Sequence, residues 1–250
     1  MSAPGEDTFP RLLESLLRNS PGRPLVTAYD EATGDRTELS VTTYANWVAK
    51  TANLLLEEYL LDPGDRVRLA LPPHWLTTVF LGAAWSTGLV ISTDPGVTAD
   101  LVITGPEHDG STEADSAVLA CSLLPFAVRF PDPLPAGVDD FGLLWPGQPD
   151  APPVVDAPTG ATIGWLDAAG SHSQSTLLDA ARAASAGWHG NRLITDVGPS
   201  EARGTSTFLA ALVRSGSLVL VANARDERWP ARLEGERATD VLRSSPEAGA

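Results

Sequence analysis

The 250-residue sequence contains very little lysine and cysteine. Lys50 is the one lysine among 17 basic residues, so any reaction that needs a lysine has a single candidate. Cys121 is the one cysteine, which excludes a disulfide bond or a thiolate metal cluster within one chain. Its place in the apolar run 117–121 predicts a small core residue.

Long apolar runs are also missing. The longest, residues 79–91, is interrupted by glycine, serine and threonine, whereas a membrane-spanning helix needs about 20 apolar residues. The first ten residues lack the basic region and apolar stretch of a secretion signal. The sequence therefore predicts a cytoplasmic protein without a membrane segment.

Positive charge is scarce, since the formal net charge is -15 at pH 7. A surface that binds nucleic acid needs a stripe of lysine and arginine to replace phosphate counterions, and none is present. We therefore expect no nucleic-acid partner and no anionic membrane partner. With 43% hydrophobic and 20% charged residues, the composition is typical of a globular protein.

The first part of the chain has alternating strand and helix signals. Apolar residues at helical spacing predict helices, and alternating or short apolar runs between turn formers predict strands. Ser40 is a predicted N-cap, and Gly88 is predicted to close a buried helix. The predicted elements are a helix at 9–18, a hairpin at 24–29 and 36–39, a helix after Ser40, a strand at 66–71, a helix at 74–87, and strands at 89–93 and 101–104. Strand, helix and strand with short connections predict parallel pairing.

Nine prolines lie between residues 124 and 158 and argue against regular elements of any length there, with Phe141–Leu144 as the one segment that could be regular. They predict a linker or surface excursion between a first subdomain at 1–123 and a second at 159–242, with a disordered tail at 243–250. The second half repeats the order of the first, because Gly190–Leu193 matches Gly64–Val67 and Pro199 matches Pro72. The predicted fold is α/β, with two similar subdomains of mainly parallel sheets flanked by helices.

The order of several short motifs resembles the N-terminal part of the adenylate-forming superfamily, which includes the AMP-binding acyl-CoA synthetases and luciferases. The matching motifs are Thr43-Tyr44, Thr51-Ala52-Asn53-Leu54-Leu55, Pro63-Gly64-Asp65-Arg66-Val67, Leu71-Pro72, Thr93-Asp94-Pro95, Ser171-His172, Asn191-Arg192-Leu193-Ile194 and Gly216-Ser217-Leu218-Val219-Leu220. They extend over residues 9–240, which correspond to about the first half of a full-length member. The bias towards arginine fits an actinobacterial-type member.

One family motif is degenerate in this sequence. Members carry a glycine-rich loop with a lysine that holds the phosphates of ATP, immediately before the Ser-His pair. Residues 158–170 retain only Thr159, Gly160 and Gly170 of that pattern, contain no lysine and place Asp167 where it would repel phosphate. The family's later adenine, magnesium and ribose motifs and its catalytic lysine domain have no counterpart here. Lys50, within a predicted helix, does not substitute for that lysine. The sequence therefore predicts no catalytic residue, no metal and no cofactor, and favours a non-enzyme.

The leading hypothesis is a pseudoenzyme that binds a small ligand or a protein partner in the groove between the subdomains, at the carboxyl ends of parallel strands. One alternative is half of an acyl-adenylating ligase that another chain completes. A second is a structural subunit that contacts a protein partner or a second copy through an exposed apolar face. The candidate ligand-binding residues are Thr93, Asp94, Thr159, Gly160, Ser171 and His172.

Other patterns predict structural roles. The four histidines lack the spacing of zinc ligands. Asp139 and Asp140, beside prolines, are typical of a solvated turn rather than an acid-base pair. Ser171 and His172 lack the surroundings of a nucleophile and base.

Overall fold

The computed structural model describes residues 6–94, 96–107 and 116–244. The helices are α1 (Phe9–Asn19), α2 (Val41–Glu57), α3 (Trp75–Thr87), α4 (Phe141–Leu144), α5 (Gln174–Ala184), α6 (Ala202–Val213) and α7 (Trp229–Glu236). The strands are β1 (Pro24–Asp30), β2 (Arg36–Ser40), β3 (Arg66–Ala70), β4 (Val90–Ser92), β5 (Leu101–Thr104), β6 (Ala117–Ala120), β7 (Val138–Asp140), β8 (Ile163–Asp167), β9 (Gly170–Ser173), β10 (Arg192–Thr195), β11 (Ser217–Ala222) and β12 (Asp240–Leu242).

These strands form two sheets. The five-stranded sheet has the order β12-β10-β11-β1-β2, and the seven-stranded sheet has the order β7-β6-β5-β3-β4-β8-β9. Neighbouring strands are parallel, apart from the β1–β2 and β8–β9 hairpins. The predicted α/β class with mainly parallel sheets is confirmed.

Each half of the chain contributes a hairpin to the sheet of the other half. β1 lies beside β11, with Val26 opposite Leu218, and β8 lies beside β4, with Trp165 opposite Ile91. In each half the order is hairpin, helix, strand, helix, strand, whereas the repeat predicted turn, helix, strand, helix, strand and left out β9. The sheets therefore do not follow the predicted division into residues 1–123 and 159–242, because pairing exchanges the two hairpins.

A large core fills the space between the sheets. It contains apolar residues from α1, α2, α3, α5 and α6 together with the inner faces of both sheets. β11 is buried on both faces: Leu218 and Leu220 belong to this central core, while Val219 and Val221 pack with Trp229 of α7. This continuous burial is typical of a parallel strand that is covered on both sides.

Local signals explain where the helices begin and end. The hydroxyls of Ser40 and Ser173 accept hydrogen bonds from the third backbone N–H of α2 and α5, at 3.1 and 3.3 Å. Gly88 ends α3 in the left-handed region, with φ of 77°, where a side chain would be strained. The predicted roles of Ser40 and Gly88 are confirmed.

The proline-rich stretch 124–158 contains regular structure: α4 coincides with the one segment that the sequence allowed to be regular, whereas β7 was not predicted. β7 pairs with β6 at the edge of the seven-stranded sheet, and Phe141 of α4 packs against Phe80 with 5.1 Å between ring centroids. Asp140, predicted to lie in a solvated turn, caps α4 through a 2.8 Å hydrogen bond from the Gly142 N–H. Part of this stretch is therefore an integral edge of the sheet.

Two polar residues of α2 bind the following part of that stretch. The Nζ of Lys50 lies 3.0 Å from the Asp150 carboxylate and also donates to the Gln148 carbonyl. The amide of Asn53 donates to the carbonyls of Pro149 and Ala151 at 3.2 and 2.8 Å. The single lysine thus has a structural anchoring role.

Near the end of the described chain, Arg243 forms ion pairs with Asp196 and Asp226 and lies over the Trp229 ring. The predicted disordered tail therefore does not begin at residue 243, and its last six residues lie outside the described part. Within the described residues, no helix combines the length and apolarity required to cross a membrane.

Some large apolar side chains are exposed in the described part of the chain: Leu60, Leu124, Phe126, Val128, Leu143, Val154 and Val241. That a protein partner or a second copy of the chain binds such an apolar surface stays a prediction.

Candidate functional site

A cavity of about 650 Å³ lies where strands of both sheets end. Its walls come from the β1–β2 hairpin, the β3–α3 connection, and the segments that follow β5, β6 and β11. The lining side chains with polar or aromatic groups include Asp30, Asp35, Thr37, His74, Trp75, Thr104, Glu107, Ser122 and Asn223. Because ligands of α/β proteins commonly bind at the carboxyl ends of parallel strands, this cavity is the candidate site.

His74 stands at the start of α3, on the cavity wall. Its Nδ1 accepts a 3.3 Å hydrogen bond from the Leu76 N–H, so in the neutral ring the proton is on Nε2. Burial lowers the pKa of the imidazole to about 4, against the opposing pull of Asp30 and Asp35. At neutral pH His74 is uncharged and offers one N–H donor.

The cavity carries negative charge. Asp30, Asp35 and Glu107 line it, and no lysine or arginine is among its lining residues. None of these three carboxylates forms an ion pair with a described basic residue, in contrast to the buried Glu31, which pairs with two arginines. In the part of the chain that the structure covers, no group of three acidic, histidine or cysteine side chains could hold a metal ion.

The carboxylates are only partly satisfied by local hydrogen bonds. One oxygen of Asp30 accepts from the Ala32 N–H and the Asn223 amide, both at 2.8 Å. One oxygen of Asp35 accepts from the Thr33 hydroxyl at 2.8 Å. The second oxygen of each carboxylate forms no hydrogen bond with a described residue and is available to a ligand.

The part of the wall that follows β6 is apolar and strained. Leu123, Leu124 and Pro125 line the cavity, and Leu123, Phe126 and Ala127 have φ values of 58°, 59° and 49°. Such left-handed backbone conformations are unfavourable for residues other than glycine, and they persist where surrounding contacts impose them. Here the imposing contacts are hydrogen bonds from Ser122 Oγ to the Val128 carbonyl and from Trp145 Nε1 to the Ala127 carbonyl.

The segment that occupies the position of the family's phosphate loop in the sequence ends in a tight hairpin. Asp167 pairs with Gly170 across the two-residue connection between β8 and β9. The Asp167 carboxylate accepts from the Ala169 N–H at 2.8 Å and lies 3.2 Å from His172 Nε2. Burial raises the pKa of Asp167, but hydrogen bonds, first from His172, outweigh burial and hold it below its ordinary value. This turn presents an anion instead of a cradle of N–H groups.

The predicted ligand residues do not line the cavity. Thr93 and Asp94 follow β4, where Asp94 organises its own turn by accepting from the Gly96 N–H at 2.8 Å. Thr159 lines a separate surface depression beside the start of α1. A Cβ on Gly160 would lie 2.9 Å from the Asp7 carboxylate.

Ser171 and His172 lie on the edge strand β9, and Ser171 lines another depression with Gly64 and Gly88. The structure therefore places the six candidate residues at several sites and does not bring them together in the cavity. The sequence reasoning missed Asp30, Asp35, His74 and Thr104. The available signal was that Asp30, His74 and Thr104 lie at or just beyond the end of a predicted strand and that Asp35 directly precedes one.

One protein of known sequence is similar to nearly the whole chain. A TIGR03089 family protein of Mycobacterium tuberculosis is 34% identical over 244 residues, covering 92% of this chain and 96% of that protein. No family profile matches the chain.

Several solved structures share the fold. An acyl-CoA synthetase of Brucella canis superimposes with a TM-score of 0.77 at 16% identity, over 94% of this chain and 47% of that one. Coronafacic acid ligase of Pectobacterium brasiliense gives 0.76 at 12% identity, over 95% and 50%. The N-terminal domain of FACL13 from Mycobacterium tuberculosis gives 0.69 at 12% identity, over 92% and 61%.

The chain thus spans about half the length of the acyl-CoA synthetase and of coronafacic acid ligase, which confirms the resemblance to the N-terminal part of adenylate-forming enzymes at the level of fold. At the level of sequence, the long match at 34% identity is decisive. The chain belongs to the TIGR03089 family.

Proposed function

We propose that this chain is a non-adenylating protein that binds a small ligand in the cavity at the carboxyl ends of its strands. The observation that carries the proposal is the cavity itself, about 650 Å³ in volume and lined by a neutral histidine, three carboxylates and an apolar wall. This size lies within the range of small-molecule sites, and convergent polar groups in an apolar cavity are typical of them.

Two features argue against ATP as that ligand. The β8–β9 connection has two residues, Ala168 and Ala169, and is flanked by the Asp167 carboxylate. The cavity lining contains acidic but no basic side chains. A triphosphate requires clustered N–H donors and cations, and carboxylates would repel it.

The first test is thermal unfolding with and without magnesium-ATP. A ligand at 100 times its dissociation constant stabilises the native state by about 2.7 kcal/mol, which moves the Tm by several degrees for a protein of this size. We expect no shift at millimolar magnesium-ATP. A shift of that size, retained after dialysis against fresh nucleotide, would contradict the proposal and favour the half-ligase alternative.

The second part of the test is a fragment screen by ligand-observed NMR, with cationic, neutral and anionic compounds. Leu124→Trp introduces a bulky ring at the cavity wall, whereas Leu60→Trp adds the same ring at a position that is 77% exposed and outside the cavity lining. We expect fragments that bind the wild type to lose binding to Leu124→Trp and to retain it in Leu60→Trp. Equal binding to both variants would place the ligand elsewhere.

A further inference from the structure

The lining of the cavity combines acidic and apolar side chains. Asp30 and Asp35 on the β1–β2 hairpin face it together with Glu107 beyond β5, and Leu123, Leu124 and Pro125 form part of its wall beyond β6. Resting on the proposed function, we infer that the ligand is an organic cation, a protonated amine that carries a short apolar group.

The negative charge of the cavity favours a positively charged ligand. Two buried glutamate side chains pair with arginines, Glu31 with Arg228 and Arg232, and Glu236 with Arg192. In the cavity, by contrast, Asp30 is half-buried and Asp35 and Glu107 are exposed. Asp30, Asp35 and Glu107 have no such basic partner among the described residues. A positively charged ligand group would complement these carboxylates, whereas a carboxylate or phosphate group would be repelled by them.

A second, independent feature is an unsatisfied hydroxyl in the same cavity. Thr104, at the end of β5, lines the cavity and is only 8% exposed. Its hydroxyl forms no hydrogen bond with a described residue, and it is not among the unpaired side-chain atoms that are sealed from solvent, so it is open to a molecule in the cavity. An ammonium group has three N–H donors and no acceptor. A hydroxyl acceptor and two carboxylate oxygens match that set of donors.

The neutral state of His74 fits the same ligand. A charged imidazole beside Asp30 and Asp35 would itself supply the positive charge, but burial keeps this ring neutral at pH 7. A bare divalent metal is a poorer match, since the described residues provide no cluster of three ligating side chains. The apolar wall leaves room for the carbon chain of an amine and would exclude a fully hydrated ion.

The test compares three probes with the same carbon chain: hexylammonium, 1-hexanol and hexanoate, titrated by calorimetry at pH 7. We expect hexylammonium to bind at least about tenfold more tightly than 1-hexanol, because a hydrogen bond between charged groups contributes more than a neutral one. We expect hexanoate not to bind, and the affinity for hexylammonium to fall as salt is added.

The variant Asp30→Asn/Asp35→Asn should weaken hexylammonium binding at least about tenfold, because the amides keep the shape and remove the charges. Asp132→Asn/Asp156→Asn removes the same charge at two exposed positions outside the cavity and should bind like the wild type. Glu107→Gln changes a solvent-exposed cavity carboxylate, so it supplies a readout if the double variant is unstable.

Equal or tighter binding of hexanoate or 1-hexanol, or unchanged affinity in the cavity variants, would overturn the inference that the ligand is a cation. If either of those two probes binds and loses affinity in Leu124→Trp, the proposed ligand-binding function still stands. If none of the three binds, the inference fails, and the fragment screen decides the proposed function separately.

Discussion

At the scale of single residues, backbone contacts require certain glycines. A Cβ on Gly204 in α6 would lie 1.9 Å from the carbonyl oxygen of Gly198, at the loop that leads into the helix. Gly235 in α7 has no atom within 4 Å of its Cβ position. The same residue type therefore has opposite roles in two helices of one chain.

We expect Gly204→Ala to lower the free energy of unfolding by about 2 kcal/mol or more, because the neighbouring group is backbone and cannot rotate away. Gly235→Ala should raise it by up to about 1 kcal/mol, since alanine favours the helix and nothing obstructs its methyl group. Urea unfolding of both variants measures the two changes. A destabilised Gly235→Ala would contradict this account.

At the scale of elements, α2 holds the stretch that follows α4. Asn53 is buried and its amide reaches three carbonyls, those of Ala49, Pro149 and Ala151. Lys50, one turn earlier, reaches Gln148 and Asp150. The contacts to Gln148, Pro149 and Ala151 satisfy carbonyl groups that no strand or helix pairs, and they fix a stretch too rich in proline for regular structure.

We expect Asn53→Ala to lower stability by about 1–3 kcal/mol and to increase subtilisin cleavage near residues 148–156, because the loss leaves carbonyl groups unpaired. Asn46→Ala is the matched control, since Asn46 is exposed on the same helix. Cleavage elsewhere, or equal cleavage of both variants, would show that Asn53 does not anchor this stretch.

The order of helices and strands follows from local sequence to a large extent. Hydrophobic periodicity predicted α2 and α3, and Ser40 and Gly88 marked an N-cap and a C-cap correctly. The edge strands β7 and β12 were missed because they contain aspartate and lack the apolar run that marked β4, which is equally short. The hairpin exchange was missed too, since strand partners depend on contacts between residues far apart in sequence.

The candidate site was less predictable. The position of the groove, at the carboxyl ends of parallel strands, followed from the predicted order of elements. The residues that line it could not be predicted in this way, because the motif resemblance directed attention to Thr159 and Ser171. In the structure, the hairpin exchange brings Asp30 and Asp35 beside His74. The structure instead has a two-residue turn beside the Asp167 carboxylate in the segment that the motifs emphasised.

At the scale of the whole molecule, ion pairs join the end of the described chain to its beginning. The Glu31 side chain, just after β1, is 1% exposed and pairs with Arg228 and Arg232 at 3.1 and 2.7 Å. Burial raises the pKa of this carboxyl, but the hydrogen bonds and charges of Arg232 and Arg228 outweigh burial and hold it below its usual 4.5. The pairing therefore stabilises the fold only while Glu31 is ionised.

A carboxyl whose folded pKa is lowered contributes stability above its unfolded pKa and loses it as the pH falls through the folded value. We expect Glu31→Gln to cost about 1–2 kcal/mol at pH 7, since its arginines are partly exposed and screened. This difference from the wild type should shrink below about pH 4.5. Urea unfolding at several pH values measures it.

Glu234→Gln is the control for this experiment, because Glu234 is exposed and forms no ion pair with a described residue. It should change stability by less than about 0.5 kcal/mol at pH 7. A difference for Glu31→Gln that persists undiminished at pH 3 would show that packing, rather than charge, holds Glu31.

The exchanged hairpins affect how the chain can fold during translation. Val26 finds its neighbour Leu218 only after 192 further residues have left the ribosome, which takes roughly 10–40 s at ordinary rates of translation. For that interval the side of β1 that later pairs with β11 stays open, and open strand edges attract other chains. The nascent protein should therefore depend on chaperones more than its size suggests, until its last part closes over its first.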